Sequence, residues 1–257
     1  MEMTKDTQQA IKELLYKMAD DALIIGHRNS EWTGLGPTIE EDIAFSSMAQ
    51  DKIGHAYQLY LILHEHLGEA DPDILGFQRP TKDFKCCQLV ELPIGEYDFS
   101  LIRHLLFDYS EALRYQALMN SSFTPLTQLS AKIRGEIKYH IFHADVWVKQ
   151  LARATEVAHA RLQTALNEAF PYALGIFEEG DFEAQLQEGN VFIGEKALKE
   201  EWLQNLEVFL KKAGLQMPDV DSVTPIYGGR KGFHSEYLHP LLKEMTEVHR
   251  IDETAEW

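Results

Sequence analysis

The chain has 257 residues, 45% of them hydrophobic, enough for a core of ordinary globular size, and a formal charge of −17 at pH 7. Nucleic acid and anionic membrane surfaces repel such an excess of acid at long range, which excludes both as partners and suits a basic partner subunit better. The two cysteines, Cys86 and Cys87, are neighbours, which an ordinary disulfide does not accommodate, so neither a disulfide framework nor a thiolate metal site is written here.

Residues 1–15, MEMTKDTQQAIKELL, have no basic start, apolar run or small-residue cleavage site, so no secretory signal is expected. No stretch approaches about eighteen uninterrupted apolar residues, so no transmembrane helix is expected either, and a reducing cytoplasm fits.

Period-3.6 patterns dominate and alternating strands are nearly absent, which predicts an all-α chain. A first helix is predicted over residues 4–27, with Ile11, Leu14, Leu15, Met18, Ala22 and Ile25 on one side, stopped by SEWTGLGP. The second opens with Thr38 followed three positions later by Glu41, a capping-box pattern, and runs to Leu67 before Gly68. Residues 71–96 dissolve into DPD, GFQRP and LPIGE, with one short helix or turn near Cys86. A third helix spans residues 99–119. The fourth begins at Thr124 and Pro125, where proline loses no hydrogen bond, and continues past Trp147. Further helices are predicted over residues 160–177, 196–213 and 236–250. The organisation is a single domain, with a bundle core over residues 4–155 and additional helices over residues 160–250.

The chemistry lies on the four long helices. Asp51…His55 and Glu136…His140 each place an acid and a histidine one turn apart, and each pair follows a helix bearing a lone acid. From Asp20 to Asp51 is 31 positions and from Asp108 to Glu136 is 28, a weak internal repeat of two helix pairs. This is the outline of a carboxylate-bridged di-metal four-helix bundle. By helical angle, Asp51 and His55 share a stripe with Ala44, Met48, Leu59 and Ile62. Asp108 shares one with Leu101, Leu105, Ala112, Tyr115 and Met119. Glu136 and His140 share one with Leu129, Ile133, His143 and Trp147. On the first helix Asp21 sits nearer the apolar face, whereas Asp20 lies with Tyr16, Leu23 and His27, and both are retained as candidates.

The details depart from a working site. The active di-iron pattern is Glu-x-x-His, whereas here the histidines come at i+4 and three of the four acids are the shorter aspartate, which makes bridging two ions harder. Buried carboxylates need compensation, which either divalent iron or manganese or acid–histidine hydrogen bonds without metal would supply. The expectation is a core polar network of Asp20, Asp21, Asp51, His55, Asp108, Glu136 and His140. Any metal would sit at Asp51, His55, Asp108, Glu136 and His140. His64, His66, His104 and His159 read as surface or packing residues, and Tyr139, Phe142 and Trp147 as core or interhelix contacts. GGRKGF lacks the spacing of a phosphate loop, and no hydrolase nucleophile motif appears.

Four stretches carry a resemblance: GHRNSEWTGLGP (residues 26–37), EEDIAFSSMAQDKIGHA (residues 40–56), EIKYHIFHADVWV (residues 136–148) and especially GGRKGFHSEYLHPLLKEM (residues 228–245). In order and spacing, over nearly the whole chain, the sequence resembles the PaaC-type subunits of the bacterial phenylacetyl-CoA epoxidases, also called ring-1,2-phenylacetyl-CoA monooxygenases. The resemblance implies a ferritin-like four-helix bundle with additional C-terminal helices. It further implies a structural, non-catalytic subunit of a multicomponent oxygenase in aerobic phenylacetate degradation. In that family a PaaA-type partner holds the di-iron centre and phenylacetyl-CoA, a flavin and iron–sulfur reductase supplies electrons from NADPH, and the PaaC-type subunit has a degraded metal site. This chain would then hold no cofactor of its own and would pair with the PaaA-type subunit, with self-association an option for the isolated chain. Arg230, Lys231, His234, Glu236 and Leu238 are expected partner contacts, being loop-borne and unexplained by core packing. The rival expectations are a ferritin-like di-iron oxidase or monooxygenase active in its own right, and a free-standing helical binding protein.

Overall fold

A computed structural model describes residues 4–252, and among them there is helix and connection but no strand. The expected all-α class is therefore correct. Backbone contacts gather the chain into two compact units, one of Lys12–Pro93 with Gly228–Trp257, the other of Met1–Ile11 with Ile94–Tyr227. We call them the first and second unit.

The first unit is built on an antiparallel hairpin. Helix α1 (Lys5–Ser30) begins outside this unit, and α2 (Ile39–Leu67) returns along it, so that Tyr60 reaches Asp20 and Lys12 reaches Glu69. The start of α1 is capped by the Thr4 hydroxyl, which accepts from the Thr7 amide at 3.1 Å. At α2 the predicted capping box does not form, because the Thr38 side chain makes no cap hydrogen bond. Its backbone carbonyl accepts from the amides of Glu41 and Asp42 instead, while the Asp42 carboxylate turns back to the Gly36 amide at 2.7 Å. Gly68, in the left-handed region at φ 72°, ends α2 as the sequence suggests, its amide bonded to the Leu63 carbonyl.

The connection after α2 is more ordered than its composition implies. It holds α3 (Pro72–Phe77), a 3₁₀ turn (Thr81–Asp83) and α4 (Gln88–Glu91), each too short to show a helical repeat in sequence. Phe84, Cys86, Cys87, Leu89 and Val90 are all buried. The C-terminal segment lies on this connection. A Cβ on Gly229 would stand 2.2 Å from the Cys86 carbonyl oxygen, and one on Gly232 (φ 82°) would stand 2.3 Å from that of Lys82. Only glycine permits so close an approach of two backbones. Helix α10 (Leu238–Met245) is shorter than the predicted 236–250. The Thr246 hydroxyl donates to the Leu242 carbonyl at 2.8 Å, and the chain passes into a 3₁₀ turn at His249–Ile251.

In the second unit, α5 (Tyr97–Leu118) and α6 (Thr124–Ala152) form the other hairpin, with α7 (Glu156–Leu174), α8 (Glu183–Glu188) and α9 (Glu195–Ala213) following. No apolar repeat announces α8, again a helix under two turns. Helix α5 packs against α6, α7 and α9 and is buried nearly all round rather than along one stripe. The fully buried Trp202 of α9 stacks near Phe170 and Phe177 and donates its indole N–H to the Leu106 carbonyl at 3.0 Å. Burying that side chain contributes on the order of 2–3 kcal/mol, and the indole N–H is satisfied as burial requires. Arg114 and Glu195, both buried, pair through two hydrogen bonds.

Candidate functional site

The adjacent acids of α1 are both buried, and each is met by an arginine from a distant loop. Asp20 accepts from the Tyr60 hydroxyl, from both terminal nitrogens of Arg79 and from the Lys85 amide at 2.6 Å. The Arg79 guanidinium also lies 4.2 Å from the centre of the Phe84 ring and donates to the carbonyls of Leu75 and Asp83. Burial, together with the Asp20 charge, pushes the Tyr60 hydroxyl well above its ordinary value, so it stays a donor. Asp21 binds Arg230 in a bidentate fork, 2.7 Å on each arm, with the Cys87 amide a third donor at 2.7 Å. Arg230 also donates to the carbonyl of Lys85 at 2.8 Å.

A third buried carboxylate organises the same region. Glu91 is hydrogen-bonded to the His234 ring nitrogen Nδ1 and accepts from the Ser235 amide, both at 2.7 Å, and lies 3.6 Å from the Cys86 sulfur. Its own carbonyl, at the end of α4, accepts from two nitrogens of Arg28 at 3.1 and 2.7 Å. Three acids, three arginines and a histidine thus hold α1, the connection and residues 228–235 together inside the first unit.

Among the expected partner contacts, Arg230, His234 and Leu238 are turned inward, Leu238 being fully buried in the apolar core. Lys231 and Glu236 are exposed. On α2, His55 is buried and Asp51 half-buried, and the fully buried Lys52 lies between them. Sequence reasoning passes over Lys52 because lysine reads as solvated. It places an amine on the inner face of a helix that also carries an acid and a histidine.

In the second unit Asp108 is fully buried, with His104 Nδ1 at 3.0 Å from one carboxylate oxygen and His140 Nδ1 at 3.9 Å from the other. Glu136 is half-buried one turn before His140. Two expectations fail in this unit. His104, expected at the surface or in packing, is buried and hydrogen-bonded to Asp108, and the i,i+4 spacing could have revealed it. Tyr139 and Phe142, expected as core or interhelix contacts, are exposed at 47% and 66%. Trp147 is half-buried and meets Tyr97 edge-on. Within this unit His104 thus gives the Asp108 carboxylate an imidazole partner.

Long antiparallel helix hairpins with buried carboxylates and imidazoles define a ferritin-like helical protein. The model of the family described as phenylacetic acid catabolic protein matches residues 1–257, and the chain belongs to that family. It is similar to the C component of the 1,2-phenylacetyl-CoA epoxidase of Escherichia coli (strain K12), with 28% identity over 241 residues that cover 94% of this chain and 96% of that one. Among the described residues no helix is long and apolar enough to cross a membrane.

Proposed function

We propose that the chain is the structural, non-catalytic subunit of a cytoplasmic phenylacetyl-CoA 1,2-epoxidase. In this reading it pairs with a PaaA-type subunit that holds the di-iron centre and carries out ring epoxidation in phenylacetate degradation. The observation that carries this reading is the end-to-end likeness to the C component of such an enzyme. The chemistry of the buried acids agrees with it. Asp20 and Asp21 are engaged by arginines and Asp108 by His104, and a carboxylate already neutralised or hydrogen-bonded has less to gain from iron.

An exposed apolar face supports the pairing. Ile39, Ile43, Ile53 and Tyr57 lie along one face of α2 at 42–70% exposure, an apolar row that a second bundle would cover. Packing along a helix of the catalytic partner would stiffen it without any reaction here.

The test is co-expression with a PaaA-type subunit that bears the only affinity tag. The chain should co-purify with it, show no turnover of phenylacetyl-CoA alone, and support turnover once the catalytic partner and reductase are added. Turnover by the isolated chain, or failure to be captured, overturns the proposal.

A further inference from the structure

The Glu91 cluster has a feature that hydrogen bonding alone does not require. Three different metal-binding groups, the Cys86 thiol, the Glu91 carboxylate and the His234 imidazole, bring one ligand atom each to within 4.8 Å of one another. The separations are 2.7 Å from Glu91 Oε1 to His234 Nδ1, 3.6 Å from Oε1 to the Cys86 sulfur, and 4.0 Å from Nδ1 to that sulfur. Around a tetrahedral zinc ion with bonds of about 2.0–2.3 Å, ligand atoms stand roughly 3.3–3.7 Å apart. The cluster brackets that spacing, and only the carboxylate–imidazole pair has to open.

The atoms not facing the centre are tied back to the main chain. His234 Nε2 lies 3.1 Å from the Phe84 carbonyl oxygen, an acceptor only, which fixes the proton on Nε2 and aims Nδ1 inward. Glu91 Oε2 accepts the Ser235 amide at 2.7 Å, leaving Oε1 for the centre. Such outer hydrogen bonds orient metal ligands. From this arrangement we infer that Cys86, Glu91 and His234 form a zinc site that fastens residues 228–235 to the connection after α2.

The charges balance. Without metal the centre holds one proton on the Cys86 sulfur and one shared between His234 Nδ1 and Glu91 Oε1. A divalent ion bound by thiolate, carboxylate and neutral imidazole replaces both, so the net charge of the buried cluster is unchanged. The mixed sulfur, nitrogen and oxygen donors suit zinc and exclude magnesium or calcium. The site stands independently of the subunit assignment and of the candidate di-metal residues. No thiolate site is legible in the sequence because the ligands lie 148 positions apart, from Cys86 to His234.

The full-length chain, purified reduced and stripped with a chelator, is titrated with Zn²⁺ against a chromogenic indicator and separately with Co²⁺. The expected result is about one ion per chain, released with about two protons. Thiolate-to-cobalt charge-transfer absorption should appear in the near ultraviolet, vanish in Cys86→Ser and His234→Gln, and persist in Cys87→Ser. A folded wild-type chain that gives no thiolate–cobalt absorption overturns the site, as does absorption that survives in Cys86→Ser. The wild-type and Cys87→Ser spectra decide the matter even if the other two variants fail to fold. No oxygenase partner enters the assay, so this test and that of the proposed function fail separately.

Discussion

At the scale of single residues, the acids of α1 set the terms. Asp21 and Arg230 are 5% and 7% exposed and share two hydrogen bonds, so removing one partner strands a buried charge. Arg230→Met should cost about 3–5 kcal/mol in urea unfolding. Arg230→Lys should recover only part, because an ammonium cannot reproduce the bidentate fork. A loss under about 1 kcal/mol for the methionine variant would mean that the pair adds little. His27 offers a pH test. Burial first, and then Arg28, lower its pKa below 6.5 against the opposing pull of Glu31 and Glu244. The folded state therefore binds its proton more weakly than the unfolded chain does. Stability from this group is intact above about pH 6.5 and declines as pH falls through that value. Replacing His27 with Gln should flatten the slope of unfolding free energy between about pH 7 and 5; an unchanged slope would assign it to other groups.

Among the elements, the glycines of residues 228–232 and Gly135 inside α6 should respond in opposite directions. At Gly229 a methyl meets the Cys86 carbonyl oxygen at 2.2 Å, and neither is the end of a flexible side chain. Gly229→Ala should cost about 1–3 kcal/mol and speed hydrogen exchange across residues 228–235. Gly135, within α6, has nothing within 4 Å of where a methyl would stand, and Gly135→Ala should stabilise by roughly 0.5–1 kcal/mol. The long helices were legible because an apolar repeat renews itself over about five turns, as from Ala44 to Ile62 in α2. The connection was not, since α3 and α4 are shorter than two repeats. Arg79 and Arg230 were invisible as partners of Asp20 and Asp21 because an ion pair across 59 or 209 positions obeys no sequence spacing. His104, four residues before Asp108, was there to be read.

For the whole molecule, a charge of −17 and the apolar row on α2 act on different steps of association. Net charge governs approach, and buried apolar area governs how long a complex lasts. Ile43→Glu combined with Tyr57→Glu should abolish capture by the tagged PaaA-type subunit. The isolated chain should keep its unfolding free energy to within about 0.5 kcal/mol for each exposed position. Capture that survives both changes would place the partner elsewhere on the surface.

The first unit is discontinuous, and that bears on how the polypeptide is made. Its opening stretch leaves the ribosome long before residues 228–235 are translated, so Asp21 and Glu91 wait through most of synthesis without the arginine and histidine that match them. The second unit, nearly all of one continuous stretch, completes in the meantime. A nascent chain halted just after Tyr227 should thus protect α5–α9 from protease while leaving the earlier hairpin open to cleavage, and residues 228–252 should close it.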